Sequence, residues 1–103
     1  MAICLIYENP DYGREQAEEV IANVAGSGPV PPEGARLVFG GPAEPGWRMI
    51  SVWDSEEALE RFLGGRLADA LEAAGVPREN ERRTTFEVYK LTAGDLTGAP
   101  QPA

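Results

Sequence analysis

The spacing of apolar residues switches between a period of two and a helical period of about 3.6 along this chain, and the order of those switches restricts the fold most. Residues 2–8, AICLIYE, are apolar and aromatic and stop at Asn9-Pro10, which predicts a strand. Ile3, Leu5 and Tyr7 point one way and Cys4, Ile6 and Glu8 the other, so the strand is expected to be central and covered. Residues 14–25 then repeat Ala17, Val20, Ile21 and Val24 at helical spacing and meet Gly26. Residues 26–34, GSGPVPPEG, form a connector in which no helix survives. Alternation returns over 35–40, with Ala35, Leu37 and Phe39 expected on one face and Arg36 and Val38 on the other. A Gly/Pro hairpin loop leads to 47–53, WRMISVW, where Trp47, Met49, Ser51 and Trp53 share a face.

Asp54-Ser55-Glu56-Glu57 marks a helix start: Asp54 and Glu57 fit a capping box, and Ser55 could cap one residue later. Ala58, Leu59 and Phe62 form an inner stripe, Gly64-Gly65 interrupts it, and 66–74 carries a second helical piece. Residues 84–91, TTFEVYKL, read as the fourth strand. Residues 1–91 are expected to form one domain and 92–103 a frayed tail with little to bury. The order β-α-β-β-α-β is the ferredoxin-like arrangement: an α+β fold with a four-stranded antiparallel sheet and both helices on one face. The other sheet face would then be bare and apolar. A second copy packed sheet against sheet, a homodimer, is the economical cover.

Composition narrows the functions. With 17 acidic and 9 basic residues the net charge is −8, which argues against partners that are nucleic acids or anionic membranes. No apolar run is long enough to span a membrane, and the first residues lack the pattern of a signal peptide. A single cysteine, Cys4, fits a reducing cytoplasm. The chain has no histidine, so Ser-His-Asp and Cys-His catalysis, His-ligated haem and the usual zinc sites fall away. Lys90 is the only lysine and no phosphate loop surrounds one. The expectation is a chain that uses no cofactor and no metal.

The run GWRMISVWDSEEALERFLGGRLADALEAAGVP resembles the dimeric α/β-barrel superfamily, near the antibiotic-biosynthesis monooxygenases and closest to a small subgroup of it. The resemblance rests on Gly46-Trp47-Arg48, on Trp53, Ser55, Glu57 and Ala58, and on Arg66-Leu67 with Ala70-Leu71. EQAEEV in the first helix and GPVPPEG after it are similar as well. It implies a dimeric α/β barrel whose ligand pocket lies between sheet and helices. That superfamily hosts several chemistries, among them oxidation of polycyclic phenols without metal or flavin. Where that branch often carries a histidine on its second helix, this chain has Phe62.

Trp47, Met49, Ser51 and Trp53 are therefore candidate substrate-binding residues, with Phe62 facing them; two indoles on one strand face make a flat wall suited to an aromatic ligand. Tyr7, Tyr12 and Tyr89 are the candidate catalytic residues, because phenols can pass protons to and from an acidic substrate. Plain core packing accounts equally for the tryptophans. Arg48 reads as a dimer-interface or surface ion pair, Cys4 as a small buried hydrophobe. The function expected is a cofactor-independent enzyme acting on a small apolar, aromatic or polyketide-like molecule, monooxygenase-like or else an isomerase, cyclase or lyase. The alternative is a non-catalytic dimeric small-ligand-binding or accessory protein.

Overall fold

A computed structural model describes residues 1–92 and residue 94. The elements are β1 (Ile3–Asn9), α1 (Arg14–Gly26), β2 (Ala35–Pro42), β3 (Trp47–Trp53), α2 (Glu56–Gly64), α3 (Arg66–Ala73) and β4 (Arg82–Glu87). The four strands pair antiparallel in the order β2-β3-β1-β4, which is the ferredoxin-like fold with its second helical region divided at Gly65. The expected tail lies outside the described residues except for 92 and 94. Among the described residues no helix is long and apolar enough to cross a membrane.

The register explains the two faces of the sheet. Ile3, Leu5, Tyr7 and Asn9 stand opposite Trp53, Ser51, Met49 and Trp47, and the helices cover this side. Cys4, Ile6 and Glu8 stand opposite Val52, Ile50 and Arg48 on the outer side. Cys4 is buried, as a small apolar residue in a central strand should be. The outer face leaves Phe39 and Phe86 each 52% exposed. Arg48 pairs with Glu8 there, 2.9 Å apart and both open to solvent.

Two local expectations are corrected, and the choice between two caps is settled. A bulge between Ala35 and Leu37 breaks the alternation of β2: Ala35 pairs with Trp53, but Leu37 and Phe39 stand opposite Val52 and Ile50. Leu37 and Phe39 thus fall on the outer side and Val38, opposite Ser51, on the helix side, because one extra residue reverses every later side chain. The cap of α2 is Ser55, whose hydroxyl accepts from the Ala58 amide at 3.1 Å. Asp54 pairs instead with Arg36 from the bulge. The last strand covers 82–87, not 84–91, because its partner β1 runs out at Ile3; one further bond, from Val88 N to Ala2 O at 2.9 Å, closes the ladder.

The core divides into two clusters. One gathers Tyr12, Ala17, Val20, Ala70, Leu71 and Val76 between α1 and α3. The other gathers Leu5, Tyr7, Trp53 and Leu59 between the sheet and α2. Arg66, at the start of α3, reaches across to the end of α1 and donates to the Val24 carbonyl at 2.6 Å and to Ser27 Oγ at 3.0 Å. It supplies the cation that the last turn of α1 lacks.

Candidate functional site

Between the two clusters lies a cavity of about 530 Å³. Its floor is the helix-facing side of β1 and β3: Leu5, Tyr7, Trp47, Met49, Ser51 and Trp53. Tyr12, Val20 and Val24 bound it from the turn before α1 and from α1 itself; Phe62, Leu67 and Leu71 bound it from α2 and α3. The connector residues Val30, Pro31 and Pro32 and the β2 residues Arg36 and Val38 line it as well. Ile21, Val30 and Val38 are exposed, so the rim is apolar as well. All five expected substrate-binding residues, Trp47, Met49, Ser51, Trp53 and Phe62, thus line one space.

Each indole on β3 donates to the side chain two residues along the same strand face. Trp53 Nε1 donates to Ser51 Oγ at 2.8 Å, and Trp47 Nε1 approaches Met49 Sδ at 3.2 Å. Alternation makes this possible, since residues i and i+2 stand side by side. Trp53 packs on Phe62, ring centres 5.1 Å apart, and is only 1% exposed. Trp47 lies beside Tyr12 at 6.3 Å, and Tyr12 meets Tyr7 edge to face at 6.3 Å.

The three tyrosines part company. Tyr7 lines the floor, but its hydroxyl donates to Glu81 Oε2 at 2.6 Å. Arg78 and Arg83 both bond the other oxygen of Glu81, at 2.9 and 3.1 Å. Burial would push the Glu81 carboxyl up. The hydrogen bonds from Arg78 and Tyr7 and the charges of Arg78 and Arg83 outweigh it and hold the group below the usual carboxylate range. Burial and the bond to Glu81 push the Tyr7 phenol well above its ordinary range.

Tyr12 is 3% exposed, and burial pushes its phenol up to about 12. Among the described residues its hydroxyl has no hydrogen-bond partner. Every fully buried side-chain nitrogen or oxygen among the described residues does have one, so the Tyr12 hydroxyl is not fully enclosed by protein. Tyr89 is corrected in place: it is 98% exposed and belongs to a smaller cleft of about 270 Å³ with Ala2, Arg36, Val52 and Leu91. The strand expected to carry it into the fold ends two residues earlier.

Glu81, Arg78 and Asn9 escaped the sequence reading. Arg78 and Glu81 sit in a charged loop without periodicity. Asn9 looked like punctuation before Pro10, yet it is fully buried. Its Nδ2 donates to the Pro77 carbonyl at 2.8 Å and its Oδ1 accepts from the Asp11 amide at 2.9 Å, tying the turn that carries Tyr12 to the loop that carries Glu81. Among the described residues no three of His, Cys, Asp and Glu gather into a metal-binding cluster.

No family model matches the chain, and no curated protein does. Solved structures do. Rv0793 from Mycobacterium tuberculosis superposes with a TM-score of 0.65 at 13% identity, over 90% of this chain and 100% of that one. A monooxygenase from the gene ActVA-Orf6 of Streptomyces coelicolor, in complex with the ligand nanaomycin D, gives 0.56 at 15% identity over 90% and 91%. A mutant form of SnoaB, a cofactor-independent oxygenase from Streptomyces nogalater, gives 0.57 at 12% identity over 87% and 95%. The chain shares its ferredoxin-like fold with these proteins. Identities this low establish the fold and leave the chemistry to be argued from the site.

Proposed function

We propose that this chain is a cofactor-independent, monooxygenase-like enzyme acting on a small, largely apolar aromatic molecule held between its sheet and its helices. The observation that carries this reading is the cavity of about 530 Å³, walled by indole, phenol and aliphatic side chains, with Tyr12, whose hydroxyl is unpartnered among the described residues, in its lining. Likeness in fold to a cofactor-independent oxygenase and to a monooxygenase favours oxygenation over isomerisation or cyclisation. In such a reaction the substrate supplies the electrons; one atom of dioxygen enters the product and the other leaves as water. The two indoles would orient the flat substrate. Tyr12, neutral at physiological pH, would donate to a substrate oxygen as charge develops on it. Tyr7 would act through its ring, its hydroxyl being held by Glu81. The apolar outer face, with Phe39, Ile50 and Phe86, supports a homodimer, and a cytoplasmic site of action goes with the reading.

Oxygen uptake with a panel of polycyclic phenols, using protein stripped of metals and flavin, tests this. Saturable uptake that falls about a hundredfold in Tyr12→Phe is expected. Saturable binding of the same phenols with no uptake by any would reduce the protein to a ligand-binding dimer. Light scattering should report twice 11.1 kDa, and Ile50→Glu should give monomer or unfold, since it buries an unpaired charge.

A further inference from the structure

We propose, resting on the cavity as a substrate site, that Tyr12 determines specificity: its hydroxyl anchors one oxygen of an uncharged planar aromatic, and the cavity rejects the same ring system carrying a carboxylate. Most polar side chains around the cavity already hold partners. Both indole N–H groups are taken up along β3 and the Tyr7 hydroxyl is taken by Glu81. Ser51 accepts from Trp53 and is itself buried, leaving its own proton as a second donor. Tyr12 alone has neither capacity used among the described residues, so it can donate to a ligand carbonyl or accept from a ligand hydroxyl.

The charges around the cavity set the exclusion. Among the described residues Arg36 is the only charged one bordering the cavity, and its guanidinium is turned to Asp54. The carboxylate of Glu81 stands behind Tyr7, and the chain carries a net charge of −8. An anion entering would give up its hydration and find no free cation among these lining residues. An alcohol gives up one bond to water and recovers one from Tyr12. The same surroundings raise the pKa of both Tyr7 and Tyr12, which is the penalty they place on any anion.

Three probes share one ring system: anthracene bearing a methyl, a hydroxymethyl or a carboxylate group on its central ring. Energy transfer from the tryptophans to anthracene reports binding to the full-length protein at neutral pH. The alcohol is expected to bind at least about tenfold more tightly than the carboxylate. In Tyr12→Phe the ratio of alcohol to methyl affinity should fall about three- to tenfold, the worth of one hydrogen bond. Tyr89→Phe, outside the cavity, should leave that ratio alone. Equal or tighter binding of the carboxylate, or an unchanged ratio in Tyr12→Phe, would overturn the proposal. Should Tyr12→Phe fail to fold, the wild-type order of alcohol over carboxylate decides. Absence of binding by all three probes would overturn the cavity reading as well. The expected order without oxygen uptake overturns the enzyme reading alone.

Discussion

β3 begins and ends on a tryptophan, and the two ends of the strand meet different fates. Trp53 is sealed: Ser51 takes its N–H, Phe62 lies against its ring and Leu59 packs beside it. Trp47 stays half-buried, with Met49 sulfur as its partner and Tyr12 as its neighbour. Both stand on the same face of the same strand. The difference lies in what the chain does next. After Trp53 a helix starts at once, capped by Ser55, and its inner stripe lands on the indole. Trp47 follows a hairpin loop, so no helix starts directly beside it, and it packs only at the margin of the cluster between α1 and α3. Filling and vacancy are decided by the element adjoining a residue as much as by its own size.

Truncation at the sealed end should show the largest effect. Trp53→Ala is expected to cost about 3–5 kcal/mol in urea unfolding, whereas Trp47→Ala should cost about 1–2 kcal/mol and act mainly on ligand binding. Equal costs would erase the contrast between the two ends.

The open end depends on its frame. Gly46 has a φ of +88°, and a Cβ there would collide with the Asn9 carbonyl oxygen. Gly46→Ala should therefore cost more than about 2 kcal/mol, combining left-handed strain with a backbone clash. It should also displace Trp47, seen as a shift in tryptophan emission.

Glu81 holds the floor of the open end through Tyr7. Glu81→Gln should cost about 1–2 kcal/mol at neutral pH. The folded-state pKa of Glu81 is depressed, so its contribution is complete above the unfolded value of about 4.3 and is lost as pH falls through the folded value. Wild type and variant should converge in stability in acid; a gap that persists there would assign the effect to shape instead of charge.

The smallest effect belongs to the cap that delivers α2. Ser55→Ala should lower stability by about 1 kcal/mol. Asp54→Ala, which touches only an exposed ion pair, should change it by less than about 0.5 kcal/mol.

The fold was legible because periodicity reports burial directly: strands apolar on both faces had to be central, and two inner stripes had to cover one side. The bulge was invisible for a physical reason. Leu37, Val38 and Phe39 are consecutive apolar residues, so either register buries something apolar. The box of Asp54 and Glu57 was locally as good as a Ser55 cap, and an arginine distant in sequence decided between them. Tyr89 was misplaced by extending β4 beyond its partner. The tryptophan wall could be read, yet whether large side chains interlock or leave space depends on backbone separations that no pattern encodes. Glu81 matters through contacts made across the fold, and a charged loop gives no sign of them.

The bulge in β2 bears on the protein's behaviour at high concentration. β2 is an edge strand, with backbone groups along one side that another chain could pair with. Exposed Val38 and Phe39 would make that edge adhesive. The irregularity at Ala35–Leu37 twists the edge out of register, and Pro42 at its far end has no amide hydrogen to offer. A flat neighbouring strand could match only the few residues between them, too short a stretch to nucleate open-ended sheet growth. The residue that spoils the alternation thereby lets this chain keep an apolar rim around its cavity without that rim becoming a seed for aggregation.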